Sequence, residues 1–241
     1  MKISLVIPAF NEERLLGESL REIRRAMTAF TDRGWQTELI VCDNNSTDRT
    51  AEIAREAGAQ VVFEPINQIA RARNTGAAAA NGDWLVFVDA DSHPSRELFT
   101  DVADQIASGH CLAGGSTVYM ETRSFFGNLG ARIWNRVSQW RRLMAGSFIF
   151  VETAAFREID GFSNELFAGE ELDLSTRLKA VAKRRGKRIT ILGKHPLLTS
   201  SRKLHLYSSR ELFSFFIRAA FAHKRVLRSR EQCSPWYDGR R

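Results

Sequence analysis

A short apolar segment that ends in two aspartates, residues 84–91, is the feature that most constrains the fold of this chain. Trp84 through Val88 are all apolar, and Asp89 and Asp91 follow on alternate positions. A run this short and apolar indicates a strand buried on both faces. Ligands of helix-covered parallel sheets bind at the carboxyl ends of the strands. Two carboxylates repel each other there, so we expect Mg²⁺ or Mn²⁺ to join them; alternatively, Asp89 is a turn acceptor and Asp91 a helix cap.

Strand and helix patterns alternate along the first hundred residues. The predicted strands span residues 3–7, 38–42, 60–63 and 84–88, and the predicted helices span residues 12–30, 47–57 and 69–80. This order implies right-handed crossovers and a Rossmann-like α/β fold, a mostly parallel sheet flanked by helices. The glycine-rich motifs of dinucleotide-binding Rossmann proteins and of P-loop NTPases are absent from the sequence, which argues against both classes.

The second half of the chain is less regular. We predict helices at residues 123–144, 170–185 and 208–230, and strands at residues 148–151 and 188–192. The helix at 170–185 begins with acidic residues, as the helix dipole favours. No linker or repeat divides the sequence, so we expect one domain with a C-terminal amphipathic helical extension.

Composition and charge narrow the choice of partners. The 241 residues carry a net charge of +7, which favours nucleotides, phosphates or an acidic membrane surface as partners. Cys42, Cys111 and Cys233 lack metal-ligand spacing, and their odd number indicates reduced thiols in the cytoplasm. No stretch of the sequence is apolar over the length that a membrane span needs.

Polar clusters follow three of the predicted strands, and the fold places them at one edge of the sheet. Phe10 offers an aromatic face to a base, and Asp43 offers an acceptor for a base N–H or a ribose hydroxyl. Arg73 offers a cation for base or phosphate oxygens. Together with a metal pair, these groups fit a nucleoside diphosphate. The alternatives stay open: Phe10 in the core, Asp43 as a helix cap, and Arg71 and Arg73 as surface charges.

The combination of motifs resembles the inverting family 2 glycosyltransferases, which have the GT-A fold. The resemblance covers residues 1–205 and rests on Pro8-Ala9-Phe10-Asn11-Glu12, Asp43-Asn44-Asn45-Ser46-Thr47-Asp48, Arg73-Asn74-Thr75-Gly76, Asp89-Ala90-Asp91, Gly146-Ser147, Asp160-Gly161-Phe162 and Gly169-Glu170-Glu171-Leu172-Asp173-Leu174. It implies transfer of a sugar from a nucleoside-diphosphate sugar to an acceptor hydroxyl, with Mn²⁺ or Mg²⁺ as cofactor.

The resemblance also implies roles for individual residues. The nucleotide sugar would contact Pro8, Ala9, Phe10, Asn11, Glu12, Asp43, Arg73, Asn74, Asp89, Ala90 and Asp91. Asp91 would bind the metal, Gly146 and Ser147 the acceptor, and a histidine from the C-terminal part, His195, would add a metal or diphosphate ligand. The family usually has aspartate as catalytic base where this chain has Glu171, so Glu171 or Glu170 is the expected base. Otherwise, Glu170 and Glu171 are only favourable charges in a helix first turn, and His195 is an exposed loop residue.

The same resemblance divides the chain. Residues 1–205 would form the GT-A domain, with a nucleotide-sugar half at 1–110 and an acceptor half at 111–205. Residues 206–241 would form the amphipathic helix and a basic tail, and residues 200–203 could close over the diphosphate.

Two basic amphipathic stretches, residues 125–144 and 212–221, leave the partners open. They fit peripheral contact with the inner face of a membrane, near a lipid-linked or cell-envelope acceptor, or burial against the sheet or in a homodimer. No nucleic-acid-binding signature is present, so we expect no nucleic acid as partner.

Two other functions fit part of the sequence. A hydrophobic strand that ends in Asp-x-Asp also occurs in haloacid-dehalogenase-like phosphatases, in which Asp89 would be the nucleophile. In those proteins the motif usually lies near the start of the domain, whereas three strand–helix units precede it here. A non-catalytic sugar-nucleotide-binding protein would share the strand-end pocket.

Overall fold

A computed structural model of the protein describes residues 1–120, 125–199, 227–229 and 231–233. Eight strands form one sheet: β1 (Lys2–Ala9), β2 (Gln36–Asp43), β3 (Gln60–Phe63), β4 (Trp84–Val88), β5 (Ser92–His93), β6 (Cys111–Met120), β7 (Phe148–Glu152) and β8 (Arg188–Thr199). The helices are α1 (Leu16–Thr31), α2 (Thr50–Glu56), α3 (Ile69–Ala78), α4 (Arg96–Ala107), α5 (Phe125–Arg141), α6 (Thr153–Glu158) and α7 (Glu170–Arg184), with a 3₁₀ helix at Glu231–Cys233.

The strands lie in the order β3-β2-β1-β4-β7-β6-β8-β5. The first four positions in this order are parallel to one another, as the β-α-β pattern predicts. Beyond β4 the sheet is mixed, because β7 pairs antiparallel with both β4 and β6 while β6 and β8 are parallel. The predicted α/β class is therefore confirmed, and parallel pairing is confined to two parts of the sheet.

Helices cover both faces of the sheet. Alternate residues of β1 supply the two cores: Leu5 and Ile7 pack with α1 and α4 on one face, and Val6 packs with α3, α6 and α7 on the other. Trp84 to Val88 of β4 are all buried, as predicted for a strand covered on both faces. This three-layer arrangement fixes the carboxyl ends of β1, β2 and β4 side by side.

The predicted elements of the first half appear with shifted ends, whereas α4 and β6 were not predicted. The predicted strand at 188–192 extends through residue 199, so His195 lies within β8 instead of in a loop. All three cysteines are buried free thiols. Among the described residues, no helix combines the length and the hydrophobicity that crossing a bilayer would require. The expectations for residues 200–203 and for the helix at 208–230 lie outside the described residues, except for residues 227–229.

Candidate active site

The turn after β4 brings the first aspartate of the Asp89-Ala90-Asp91 motif against the neighbouring strand. The Asp89 backbone N–H donates to the Ser147 carbonyl at 3.2 Å, just before β7. The Ser92 N–H donates back to the Asp89 carbonyl at 3.1 Å and closes the turn. Asp91 does not cap α4, because Ser95 occupies the N-cap and its side chain accepts from the Leu98 N–H. Asp89 and Asp91 therefore both lie in the turn that joins β4 to β5, and the Asp89 side chain is partly buried there.

Arg73, on the first turns of α3, connects the donor-side and acceptor-side motifs. Its guanidinium donates through Nη2 to Asp89 Oδ1 at 2.9 Å and to the Gly146 carbonyl at 2.8 Å, and through Nη1 to Glu170 Oε1 at 2.6 Å. The residue is only 1% exposed, so Arg73 is a buried cation and not a surface charge. Charge-assisted hydrogen bonds in a buried position are strong and geometrically specific. In the structure, Arg73 therefore holds the carboxylates of Asp89 and Glu170 in place.

The Asp160-Gly161-Phe162 motif packs an aromatic ring against the Arg73 guanidinium. The Arg73 guanidinium carbon lies 5.2 Å from the centre of the buried Phe162 ring. The Asn74 side chain donates to the Phe162 carbonyl and accepts from its N–H, both at 2.9 Å. Gly161 has a φ of +67°, and a Cβ there would lie 2.6 Å from Asn74 Oδ1. The motif is therefore a tight turn that places the Phe162 ring against the Arg73 guanidinium.

Glu170 and Glu171 begin α7, directly after Gly169, whose φ of +73° turns the chain into the helix. Glu170 is 4% exposed and Glu171 is half-buried. Burial first, and then the charge of Glu170, raise the pKa of Glu171 to about 8, although Arg73 acts in the opposite direction. For Arg73, burial lowers the pKa, but the negative charges of Asp89, Glu170 and Glu171 outweigh it and raise that pKa. Three carboxyl groups, those of Asp89, Glu170 and Glu171, thus form an electrostatic unit with one guanidinium, and within it the pKa of Glu171 is raised.

A cavity of about 180 Å³ opens above this unit. Its walls include Asp89 on the donor side, Glu170 and Glu171 on the acceptor side, and Gly146 and Ser147 between them. A Cβ at Gly146 would lie 3.3 Å from Arg73 Nη2 and 3.6 Å from the Glu171 carboxyl carbon. The structure therefore brings together both predicted base candidates, two predicted nucleotide-sugar residues (Arg73 and Asp89) and both predicted acceptor residues.

The ends of β1 and β2 form a second cluster at the same edge of the sheet. Asp43 is 7% exposed and its Oδ1 accepts from the Ser46 N–H at 3.0 Å, so it shapes a turn and does not cap α2. Asn11, at a φ of +52°, accepts from the Thr47 N–H at 2.8 Å and donates its own N–H to Ser46 Oγ at 3.0 Å. These contacts lock the two strand ends into one surface.

The remaining predicted donor residues lie on or beside this surface. Pro8 and Ala9 are the last two residues of β1, and both are buried. Phe10 is half-buried, and Glu12 is 7% exposed with its N–H donated to Thr50 Oγ1 at 2.8 Å. Ala90 is buried in the turn between Asp89 and Asp91. Of the predicted residues at the end of β1, Phe10 is therefore the one that presents a large apolar surface at this edge.

His195, the predicted metal or diphosphate ligand, has a partner on α4 in the structure. The His195 Nδ1 atom lies 2.9 Å from Asp101 Oδ2 on α4. The strand β5, which follows Asp91 directly, pairs with β8 at Leu198 and Thr199 and not at His195. His93, on β5, lies 3.4 Å from Ser19 Oγ of α1 through its Nε2 atom. The geometry thus gives His195 a partner on α4 and does not favour it as a metal ligand.

The chemistry of the donor set at Asp89 and Asp91 fits a hard divalent cation. Both residues supply carboxylate oxygens at a strand end, although Asp89 is already engaged by Arg73. Within the described part of the chain, no three His, Cys, Asp or Glu side chains are grouped so as to hold a metal by themselves. Mg²⁺ characteristically binds through one or two carboxylates and takes its other ligands from phosphates and water. Asp91 fits that mode.

Two polar residues of the site were not predicted from the sequence. Asn44 donates through its side-chain amide to the Glu64 and Ile66 carbonyls, at 3.1 and 2.7 Å, and accepts from the Gln68 N–H at 2.9 Å. Gln68 is 1% exposed and donates to the carbonyls of residues 164 and 166, both at 2.9 Å. These two amides connect the donor-side turn, the start of α3 and the loop that leads to α7. Asn44 lies within the motif at residues 43–48, which is a signal, but the partners of both amides are visible only in the folded structure.

The last described residues close over the same loop. The Phe167 N–H donates to the Leu227 carbonyl at 2.7 Å, and Arg228 pairs with Glu165 at 2.6 Å. Leu227 and Cys233 pack with Ala168 in a small apolar cluster. The loop that carries the chain into Glu170 is therefore held from outside by the C-terminal part of the chain.

Comparison with known proteins places the chain in one family. Residues 4–161 match the family model described as Glycosyl transferase family 2. A dolichol-phosphate mannosyltransferase of Pyrococcus furiosus is 32% identical over 124 residues, which cover 48% of this chain and 33% of that protein. An undecaprenyl-phosphate 4-deoxy-4-formamido-L-arabinose transferase of Edwardsiella ictaluri is 33% identical over 153 residues, 57% of this chain and 43% of that protein. The chain thus matches less than half the length of these two curated relatives.

Solved structures show the same fold at lower identity. The crystal structure of S. aureus TarS 1–349 in complex with UDP-GlcNAc has a TM-score of 0.65 and 21% identity, over 98% of this chain and 69% of that chain. The mannosyltransferase PcManGT from Pyrobaculum calidifontis, in complex with GDP-Man and Mn²⁺, has a TM-score of 0.65 and 19% identity, over 94% of this chain and 62% of that chain. With the family match over residues 4–161, these likenesses lead to one conclusion: the chain belongs to glycosyltransferase family 2 and has a GT-A fold.

Proposed function

We propose that the protein transfers a sugar from a nucleoside-diphosphate sugar to an acceptor hydroxyl, with inversion at the anomeric carbon. The observation that carries this proposal is the cavity of about 180 Å³, whose lining includes Asp89, Gly146, Ser147, Glu170 and Glu171. A donor that lies along the strand ends would extend its sugar into this cavity. An acceptor that enters beside Glu171 would then meet the anomeric carbon from the side opposite the leaving nucleotide.

The donor would lie along the edge formed by the ends of β1, β2 and β4. Phe10 offers a partly exposed ring to the base, and Asp43 offers a carboxylate at the end of β2. Asp89 and Arg73 border the cavity at the sugar end. In this proposal Asn11, Glu12 and Asn74 act by holding the loops that shape the edge, since their described hydrogen bonds go to neighbouring segments.

Glu171 is the group we assign as general base. As the acceptor oxygen forms its bond to the anomeric carbon, Glu171 takes the hydroxyl proton, and the bond from that carbon to the diphosphate oxygen breaks. A base works best with a pKa near the working pH, and burial together with Glu170 raises the pKa of Glu171 to about 8. Glu170 is bonded to Arg73 at 2.6 Å, so it acts as a positioning residue for its neighbour.

A divalent cation, Mn²⁺ or Mg²⁺, fits the oxygen donors at Asp91. When bound, it neutralises charge on the diphosphate and so assists its departure. The protein contributes a carboxylate that the β4 turn holds at the strand end. The complex of PcManGT with GDP-Man and Mn²⁺ supports this assignment by fold likeness.

The names of two relatives support a proposal for the acceptor and the location. One is named a dolichol-phosphate mannosyltransferase and the other an undecaprenyl-phosphate 4-deoxy-4-formamido-L-arabinose transferase. These names favour a lipid-linked or cell-envelope acceptor at the inner face of a membrane. We also propose a donor half at residues 1–110 and an acceptor half at 111–205. The strands β1 to β4 lie in the first half and β6 to β8 in the second, and β5 of the first half pairs with β8. Membership of family 2 removes the phosphatase alternative, because it assigns the Asp-x-Asp strand end to a different family.

A direct test combines donor screening with the stereochemistry of the product. A panel of nucleotide sugars with Mn²⁺ is screened by thermal shift, since a ligand that binds the folded state raises the melting temperature. The best donor is then incubated with acceptor extracts, and the anomeric configuration of the product is read by NMR. We expect inversion, with Glu171→Gln slower by about 10²–10⁴-fold. Retention of configuration, or equal rates for Glu171→Gln and the exposed control Glu165→Gln, would contradict the proposal.

The metal assignment has its own readout. Mn²⁺ binding is followed by electron paramagnetic resonance with and without the nucleoside diphosphate of the best donor. We expect Asp91→Asn to remove the nucleotide-dependent binding. Asp101→Asn and His195→Gln form the matched controls, because these two residues bond to each other at 2.9 Å on the α4 side of the fold. Loss of Mn²⁺ binding in the controls and not in Asp91→Asn would refute the assignment.

A further inference from the structure

Helix α5 exposes apolar side chains and buries polar ones. Asn135 points inward and bonds the N–H and the carbonyl of Val118 on β6, at 3.0 and 2.9 Å. Ser138 is fully buried and donates to the Leu143 carbonyl at 2.6 Å. The exposed apolar side chains are Leu129 at 43%, Ile133 at 56%, Val137 at 38% and Trp140 at 78%. Their spacing of three and four residues places them in one stripe, which we call the α5 stripe.

Burial of this stripe against the sheet, one of the two predicted outcomes, is therefore wrong for these four residues. A stripe of this kind on a helix surface marks an interaction site. Both faces of the sheet already have their helices, and α5 reaches the sheet through its polar side.

The charges beside the α5 stripe all have one sign. Residues 125–142 contain no Asp or Glu. The arginines are Arg132, Arg136, Arg141 and Arg142, and all four are exposed. The Arg141 guanidinium carbon lies 5.3 Å from the Trp140 ring centre, so the most exposed aromatic residue carries a cation at its side. Arginine and tryptophan in this combination are typical of the boundary between lipid and water.

We propose that the α5 stripe and its arginines bind the surface of an anionic lipid bilayer. The apolar side chains would enter the boundary between headgroups and acyl chains, and the arginines would pair with acidic headgroups. A second copy of this chain is a poorer occupant, because a twofold contact through the stripe would bring two sets of four arginines together. An uncharged apolar partner would leave the arginines without counter-charges.

The position of α5 connects this surface to the candidate active site. Arg142 precedes Gly146 by four residues, which span at most about 14 Å of extended chain. The Met144 N–H between them donates to Ser175 Oγ on α7 at 3.0 Å. A bilayer docked on α5 would therefore lie near the cavity that contains Glu171. The idea that a docked bilayer presents a lipid-linked acceptor to this cavity rests on the proposed function. The docking of α5 on the bilayer does not depend on that function.

Vesicle flotation of the whole chain, without any donor, tests the docking. Vesicles are made of phosphatidylcholine alone, or of phosphatidylcholine and phosphatidylglycerol in equal amounts. We expect binding to the anionic vesicles at low salt and its loss near 1 M salt, where screening acts within about 3 Å. Each arginine near the surface contributes roughly fivefold to the binding constant, so Arg132→Gln with Arg136→Gln should weaken it roughly 25-fold.

The controls match the variants in exposure. Arg25→Gln, at an exposed position on α1, is the control for the arginine variants and should bind vesicles like the unaltered protein. Trp140→Ser should bind less, whereas its control, Ile66→Ser at another exposed apolar position, should bind like the unaltered protein. Melting curves verify that each variant is folded. Three results would overturn the proposal: no anionic-vesicle binding, equal binding by the α5 and control variants, or a dimer that Trp140→Ser dissociates. Because no donor is present, failure here leaves the test of sugar transfer unaffected.

Discussion

Replacement of Arg73 by methionine is the perturbation that probes the site most deeply. The guanidinium bonds to Asp89, Glu170 and the Gly146 carbonyl, and the arginine and Glu170 side chains are 2% and 5% exposed. Methionine fills a similar volume but leaves these acceptors without their cation. Removal of one partner from a buried ion pair costs about 3–5 kcal/mol. For a protein of this size, that loss lowers the melting temperature by roughly 6–20 °C.

Calorimetry at neutral pH measures this effect against a matched control. Arg25→Met removes an ion pair whose arginine is 76% exposed, and such surface pairs contribute about 0–1 kcal/mol. We also expect the loss in Arg73→Met to shrink at low pH, because protonation of the abandoned carboxyls relieves their repulsion. Donor-independent stability thus reports on the electrostatic unit itself.

A double-mutant cycle decides whether the partner is the one assigned here. If Arg73 stabilises the fold by holding Glu170, the double variant with Glu170→Met should lose less than the sum of the single losses, by about 0.5–3 kcal/mol. Strict additivity, or an Arg73→Met protein that melts within a degree of the unaltered one, would refute the reasoning.

Three further variants test other parts of the account. Burial and Glu170 raise the pKa of Glu171 to about 8, so kcat/KM should rise with pH up to about 8, and Glu171→Gln should abolish that rise. Between the ordinary pKa of glutamate and pH 8, the folded state therefore binds more protons than the unfolded state, so the Glu171 carboxyl lowers the stability of the fold as the pH rises. The Glu171→Gln variant should therefore have a higher melting temperature than the unaltered protein at pH 8 but not at pH 4. Asn44→Asp replaces an amide donor that faces two backbone carbonyls, and calorimetry should show a loss of about 1–3 kcal/mol, whereas no loss would contradict the contacts. Gly161→Ala forces a side chain into a φ of +67° and against Asn74, so urea unfolding should show a loss of about 1–3 kcal/mol, and an unchanged midpoint would contradict the turn geometry.

The first half of the fold was predictable because its signals are local. β1 to β4 are short apolar runs with polar ends, and the helices between them have regular apolar spacing. By contrast, β6 contains Gly114 and Gly115 and lacks a strong apolar run. A Cβ at Gly114 would lie 2.3 Å from the Thr190 carbonyl and 2.4 Å from the Phe150 ring, so the strand depends on a close approach that only the folded structure shows.

Helix α4 carried a signal that was overlooked. Ser95 caps it, and Leu98, Phe99, Val102 and Ile106 follow with helical spacing. For α5 the stripe itself was predicted, but which side faces the solvent depends on Asn135 meeting β6, and this contact cannot be read from periodicity.

The candidate site was predictable in its parts and not in its connections. Asp89, Gly146, Glu170 and Glu171, which the motifs singled out, line one cavity, and their roles stay predictions. The sequence left Arg73 open between a phosphate ligand and a surface charge. Its contact with Glu170 joins residues separated by 97 positions, and nothing local in either segment specifies such a pair. For His195, the sequence suggested a metal or diphosphate ligand, and in the structure its side chain contacts Asp101 on α4.

A crystal soaked with Mn²⁺ and the best nucleotide sugar tests the central claim most directly. The account predicts electron density for the diphosphate and the metal at Asp91, and for the sugar in the 180 Å³ cavity with its anomeric carbon toward Glu171. The opposite edge of the sheet offers a larger polar cavity of about 570 Å³, lined by Asp83, Arg157 and Lys187 among others. Donor density in that cavity, with none beside Asp91, would contradict the account.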